Sequence, residues 1–353
     1  MPGRSLVYAI SADYAQLTGG WLYNERLLRE LARCGWSIER LVLPAGFPDP
    51  GPAACAATAA ALRALADGTL VLVDQLCISV LPELAIEQSR RLRLAVIVHH
   101  PLALEGDVPA AAARRAEAER RTLGAAALVL ATSQTTAAAL LSDYEVAPAR
   151  LIVGPPGIDR HVPAPQGRGD GVIRLLSVGA VVPRKDHGLL LEALAGLADR
   201  PWRLRIVGDL ERSRPHLAGL RDLLRRHGLE QRVELAGALA GERFEAAWRE
   251  ADLFVAASRH EGYGMAVAEA VARGLPVVTT AAGAIAGWLD HRAAIIVPVG
   301  DAARLRQALA RAIDEPALRL ALRAGALAAA DRLPSWKGTA ALVDSALAAV
   351  LAA

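Results

Sequence analysis

The chain has 353 residues, long for one hydrophobic core and sufficient for two. Its residues are 53% hydrophobic and 22% charged, which excludes a disordered chain and supplies ample apolar surface for burial. The net charge of +3 comes from scattered arginines, which argues against nucleic-acid binding and a polybasic membrane anchor while allowing weak peripheral contact with anionic lipid.

The apolar run Leu6–Ile10 meets polar residues at once, the length of a strand and not of a signal segment. Thr18-Gly19-Gly20 then precedes a predicted helix over Trp21–Arg33. Further predicted strands follow at Ile38–Leu43, Leu70–Val73, Leu94–Val98, Leu128–Ala131 and Leu151–Val153. A second set runs over Ile173–Val178, Leu204–Val207, Val233–Leu235, Leu253–Ala256, Val277–Thr279 and Ile295–Val297. Continuous apolar strands separated by helix-length segments predict parallel sheets covered on both faces. Two such sets predict an α/β protein of two doubly wound, Rossmann-like domains. The stretch His161–Asp170, rich in Pro, Gly and charge, sets the expected boundary between domains at 1–163 and 164–333. Pro334 breaks a helix, and a last helix is expected over 334–353. That Ala-rich end is shorter than the roughly 20 residues a bilayer requires and is interrupted by Asp344, so no transmembrane segment is expected. Cys34, Cys55 and Cys77 have no metal-like spacing and read as inert thiols, which points to a cytoplasmic protein.

Glu261-Gly262-Tyr263-Gly264-Met265-Ala266-Val267-Ala268-Glu269 is the strongest functional signal. It follows a predicted strand and opens a helix that ends near Gly274, the place where open α/β sheets bind ligands. Gly262 and Gly264 allow close backbone approach, the first helical turn presents free N–H groups to an anion, and the two carboxylates can hold two different hydroxyls. A second signal, Val178 to Gly188, contains Gly179, Arg184 and Lys185 directly after a strand. Lysine occurs only at 185 and 337 in this arginine-rich chain, so Lys185 marks a need for a compact charge, with phosphate as its partner. Gly19 and Gly20 before a helix suit a diphosphate. They are not a G-x-G-x-x-G fingerprint, and Leu41-Val42-Leu43-Pro44 lacks the acidic residue a nicotinamide dinucleotide wants. His99 and His100 end a strand before Pro101, and side-chain alternation sends one of the two toward the crevice.

Together these residues resemble the GT-B-fold retaining glycosyltransferases of family 4, also called glycosyl transferases group 1, over essentially the whole chain. Further matches are Pro156-Gly157-Ile158-Asp159, Pro183-Arg184-Lys185, Val297-Pro298 with Gly300-Asp301, and Ser335-Trp336. The resemblance implies two Rossmann-like domains facing a cleft. The first would bind the acceptor and the second the nucleotide sugar, with the last helix crossing back to the first. It implies that Glu269 holds the ribose, Glu261 the donor sugar, Lys185 and Arg184 the diphosphate, and the Gly262, Tyr263, Gly264 and Met265 segment the sugar or phosphate. His100 aligns better than His99 with the family's crevice histidine. Ala180 stands where many members carry arginine, so phosphate neutralisation leans on Lys185 and Arg184. The segments Gly208-Asp209-Leu210 and Gly283-Ala284-Ile285-Ala286-Gly287 also depart from the family pattern, and neither is expected to touch the central chemistry.

The expected reaction is transfer of a sugar from a nucleotide-diphosphate donor, UDP or GDP sugar, to a small molecule, glycan or lipid, with retention and by a front-face route. Cations and helix ends stabilise the departing diphosphate, so no metal is expected. Rival readings are a sugar-nucleotide epimerase, a glycoside hydrolase using the two glutamates, and a non-catalytic sugar-nucleotide-binding module.

Overall fold

The computed structural model describes residues 4–15, 18–104, 109–163 and 170–353. The chain divides into two compact units, Met1–Gly157 with Pro334–Ala353, and Ile158–Leu333. Each unit is built on a six-stranded, wholly parallel sheet.

The first sheet contains β1 (Ser5–Ser11), β2 (Ser37–Leu43), β3 (Leu70–Asp74), β4 (Arg93–Val98), β5 (Leu128–Ala131) and β6 (Leu151–Val153), in the order β2-β1-β3-β4-β5-β6. The second contains β7 (Ile173–Val178), β8 (Trp202–Val207), β9 (Val233–Gly237), β10 (Leu253–Ala256), β11 (Val277–Thr280) and β12 (Ala294–Val297), in the order β12-β11-β10-β7-β8-β9. All twelve expected strands are present, most of them extended by a residue or two. Every residue of β3, β5 and β11 is buried, because helices cover both faces of a parallel sheet. In each sheet the order reverses beside an inner strand, and there the carboxyl ends of adjacent strands open a crevice.

The boundary falls earlier than 163/164, at 157/158, for reasons visible in the side chains. Tyr23 donates from its hydroxyl to the Gly154 carbonyl at 2.8 Å, and Thr339 donates to the Pro155 carbonyl at 2.5 Å. Gly157 lies so close to the Trp336 backbone that any Cβ would collide with it. Residues 154–157 are therefore tied to the first unit, whereas Arg160 already pairs with Asp331 of the second at 2.8 Å. Of the expected linker, residues 164–169 lie outside the described residues.

The last helix, Trp336–Ala352, is capped by the Ser335 hydroxyl and packs on the first unit. Trp36 and Arg4 both donate to Asp344, at 2.7 and 2.6 Å, so the acid that interrupts the apolar run anchors the helix. Among the described residues no helix is long and apolar enough to cross a membrane.

Candidate functional site

Two loops at the carboxyl ends of neighbouring strands build the site in the second unit. After β7, Pro183 opens a short 3-10 turn through Lys185, and Asp186 follows in the left-handed region at φ 45°. The Asp186 carboxylate accepts from the Leu189 amide at 3.3 Å, capping the His187–Ala195 helix, and from Arg259 Nε at 2.8 Å. The Arg259 amide donates to the Arg184 carbonyl at 2.8 Å. The loop after β10 is thus laced to the loop after β7, and it brings Glu261 under two cations.

Lys185 Nζ lies 2.7 Å from Glu261 Oε1, Ser258 Oγ donates to the same oxygen at 2.6 Å, and Arg184 Nη1 lies 3.4 Å from Oε2. Arg184 also donates to the His260 carbonyl at 2.8 Å. Burial alone would raise the Glu261 carboxyl. Lys185 and Arg184, with the Lys185 and Ser258 hydrogen bonds, outweigh it and hold the group down at about 2. Two cations against one carboxylate leave the cluster with an excess of positive charge. Oε1 accepts two short bonds while Oε2 takes only the long one, so Oε2 retains acceptor capacity for a further hydroxyl.

A small pocket lies beside this cluster, lined by Ser177, Val178, Lys185, His187, Glu261 and Gly264 among others. Gly179 packs against the Lys185 side chain, where a Cβ would lie 2.8 Å from Lys185 Cε. His187 is buried, and desolvation, then Lys185 and His216, push it down to about 3, so its imidazole is neutral. Glu261-Gly262-Tyr263-Gly264 turns into the Met265–Ala272 helix, with Gly264 at φ 91° as its N-cap. Only glycine holds that conformation without strain, and the turn leaves the first helical amides available to an anion.

Glu269 sits in that same helix, half-buried, 3.7 Å from Arg273 Nη1. Arg273 is itself buried, donates to Glu245 at 2.8 Å and lies over the Trp248 ring. The structure therefore joins Glu261, Lys185 and Arg184 in one cluster and gives Glu269 a separate partner.

In the first unit, Gly19 and Gly20 do not precede a helix but form its first turn. The helix spans Gly19–Arg33, because the Thr18 side chain accepts from the Trp21 amide and caps it two residues early. His99 and His100 follow β4 and are held through their backbone. The His99 amide donates to Gln75 Oε1 at 2.9 Å, and Gln75 Nε2 donates to the His100 carbonyl at 2.5 Å. The His99 ring packs edge-on against Tyr23 with centroids 5.4 Å apart, and its Nε2 lies 3.3 Å from Asp74 Oδ2. That Nε2 makes no hydrogen bond, so the contact with Asp74 is close but out of line. Asp74 is fully buried and accepts from Asn24 at 2.7 Å. The His100 residue is 9% exposed, buried more deeply than its half-buried neighbour.

Two expectations need correction. A Cβ on Gly208 would collide with the Gly179 carbonyl, and the Val181 amide donates to the Asp209 carbonyl at 2.8 Å. The Gly208–Leu210 segment thus supports the Lys185 loop directly. Gly283 likewise presses on the Glu261 backbone, and the Ala284 amide donates to the Glu261 carbonyl at 3.0 Å. Both departures from the family pattern sit against the central loops, because crossover loops at one end of a sheet converge however far apart they are in sequence. Ser258 and Trp288 lie outside the sequence motifs, and Asp186 and His187, inside the Val178 to Gly188 signal, had no role assigned to them. Only their position at strand ends and loops beside Glu261 or Lys185 could have singled them out.

A cation cluster and free helical amides at the strand ends of a doubly wound sheet make a site suited to an anionic ligand. The family profile described as Glycosyltransferase Family 4 matches residues 19–162, and that of Glycosyl transferases group 1 matches residues 173–315. The chain belongs to this family of glycosyltransferases. It is 32% identical to the D-inositol 3-phosphate glycosyltransferase of Kineococcus radiotolerans over 67% of this chain and 60% of that protein. It is 30% identical to the MMP alpha-(1->4)-mannosyltransferase of Mycolicibacterium hassiacum over 63% of this chain and 57% of that protein. The chain thus spans less than two thirds of the length of these curated relatives. Sucrose-phosphate synthase from Thermosynechococcus elongatus shares the fold with a TM-score of 0.81 at 19% identity, covering 99% of each chain. Anabaena HepE in complex with UDP and glucose shares it with a TM-score of 0.77 at 18% identity, over 98% of this chain and 99% of that one.

Proposed function

We propose that the chain transfers a hexose, with retention, from a nucleotide-diphosphate donor to a small-molecule, glycan or lipid acceptor. The observation that carries this reading is the Lys185-Arg184-Glu261-Ser258 cluster beside the glycine turn at Gly264. Negative charge grows on the diphosphate as the glycosidic bond breaks, and the excess positive charge of the cluster stabilises it. Lys185 and Arg184 supply that charge, so the transfer proceeds without a metal. The amides of Met265 and the next residues face the sugar or phosphate, and Glu261 Oε2 accepts from a sugar hydroxyl. Glu269 accepts from the ribose hydroxyls. UDP or GDP is the nucleotide, and the presence of UDP in HepE favours the first. The name of one curated relative, a mannosyltransferase, supports hexosyl chemistry.

In the first unit we assign acceptor binding and a histidine contact to the donor sugar, from His100. We propose a front-face course with it, since the sequence offers no convincing nucleophile for the opposite face of the sugar. The test is a thermal-shift screen against UDP, GDP, ADP and dTDP, with and without EDTA. One diphosphate at 100 times its Kd should add about 2.7 kcal/mol of stability irrespective of chelator. No shift with any of the four would sink the reading, and a shift or turnover that requires Mg²⁺ or Mn²⁺ would sink its metal-free form. Turnover of His99→Ala and His100→Ala then decides the histidine: full activity in His100→Ala with loss in His99→Ala moves the role to His99.

A further inference from the structure

The loop after β11 clasps the donor turn at four points. The Ala284 amide donates to the Glu261 carbonyl at 3.0 Å, and Gly283 packs on the same backbone. Ile285 fills the space over Gly264, where a Cβ would lie 2.7 Å from Ile285 Cγ1. Finally, Trp288 stacks on Tyr263 with ring centroids 5.2 Å apart and planes 8° from parallel, while its indole N–H donates to the Tyr263 carbonyl at 2.8 Å.

Tyr263 lies between Gly262 and Gly264, the two residues with least conformational restraint in the turn. A glycine-flanked carbonyl is free to rotate about its neighbours' dihedrals, and rotation would redirect the following amides. Trp288 removes that freedom twice, by a ring stack on the side chain and by a hydrogen bond on the carbonyl. Burial holds Tyr263 in place as well, at 8% exposure. The short helix that carries Trp288, Ile285–Trp288, is closed by a bond from the Leu289 amide to the Ile285 carbonyl, so the tryptophan is delivered at its end.

We propose that Trp288 is a positioning residue for the donor: through Tyr263 it fixes the direction of the amides at Gly264 and Met265 that receive the sugar-phosphate group. This rests on the reading that a nucleotide diphosphate binds beside Lys185 and Glu261. Trp288 itself need not touch the donor. Its effect passes through one carbonyl and one ring, so the two parts of the contact separate by substitution. Trp288→Phe keeps the stacking ring and deletes the hydrogen bond, whereas Trp288→Ala deletes both.

The experiment titrates UDP and GDP calorimetrically into the wild type, Trp288→Phe, Trp288→Ala and Lys185→Ala, with thermal unfolding recorded for each. Trp288→Phe should unfold near the wild-type temperature and bind the preferred diphosphate about threefold to tenfold more weakly, the equivalent of one neutral hydrogen bond. Trp288→Ala should bind more weakly still. The intrinsic fluorescence change on adding that diphosphate should shrink in Trp288→Phe, because the indole beside the diphosphate-binding turn is gone. Wild-type affinity and an unchanged fluorescence response in Trp288→Phe would overturn the inference while a weakened Lys185→Ala upheld the site. Undiminished affinity in Lys185→Ala, or no binding of either diphosphate to the wild type, would overturn both together.

Discussion

Glu119 in the first unit and Glu261 in the second are both buried glutamates, at 0% and 8% exposure, in units of the same architecture. Their carboxyls are shifted in opposite directions from the free value. Glu119 lies on the Pro109–Ala125 helix, where burial raises its carboxyl to about 7 and the hydrogen bond from the Leu102 amide offsets only part of the rise. The Leu102 amide donates to Glu119 Oε2 at 2.8 Å, so the acid fastens the turn that follows His100 and Pro101. Glu261 meets the same desolvation but also Lys185 and Arg184, and it is held down at about 2. Burial is therefore not what makes a carboxyl functional. Its partners decide whether it is a structural acid that holds its proton toward neutral pH or an ionised anchor for cations.

Lys185→Ala should break this contrast most severely. It strips the short ion pair from Glu261 and leaves a buried carboxylate with the longer Arg184 contact as its one remaining cation, beside the Ser258 hydrogen bond. We expect a stability loss of about 3 kcal/mol in urea unfolding, together with weakened diphosphate binding. A loss confined to binding, with stability untouched, would show that Arg184 and Ser258 compensate for the ion pair.

The two glutamates should also give opposite pH dependence. Glu119 has a raised folded value, so it binds more protons folded than unfolded, and its stabilisation is present below about 4.5 and lost as pH rises toward 7. Glu261 has a depressed value, so its contribution is present above about 4.5 and lost as pH falls toward 2. Glu119→Gln should remove the alkaline loss, raising stability at pH 8 relative to wild type by on the order of 3 kcal/mol, with little change at pH 4. Urea midpoints at the two pH values measure it, and identical slopes in wild type and variant would refute the assignment of the titration to Glu119.

Ser258→Ala tests a smaller part of the same site. It removes the 2.6 Å bond to Glu261 Oε1 and should cost about 1.5 kcal/mol while raising the acid limb of the stability profile. Arg259→Ala should do least. Its pair with Asp186 is more than half exposed on the arginine side, so the expected change is under about 1 kcal/mol by thermal unfolding. A larger effect would mean that Arg259 shapes the Lys185 loop through its side chain, beyond the backbone bond from its amide to Arg184.

Much of this molecule is legible in one dimension. Runs such as Leu128–Ala131 and Ile173–Val178 declare buried parallel strands because both faces of such a strand demand apolar side chains, and their limits coincide with β5 and β7. Glu261, Gly264 and Lys185 were legible too, since a charged or glycine-rich loop after a strand is local information. The fold, by contrast, decided everything that depends on which loops are neighbours. The Gly208 and Gly283 segments read as remote, yet they press on the Lys185 and Glu261 loops through backbone contact that leaves no periodic trace. Thr18, not the glycines, begins the first helix, because capping turns on one side-chain bond. The opposite states of Glu119 and Glu261 lie beyond any one-dimensional reading, because a carboxyl's ionisation follows the charges packed around it, and only tertiary structure brings residues 184, 185 and 261 together.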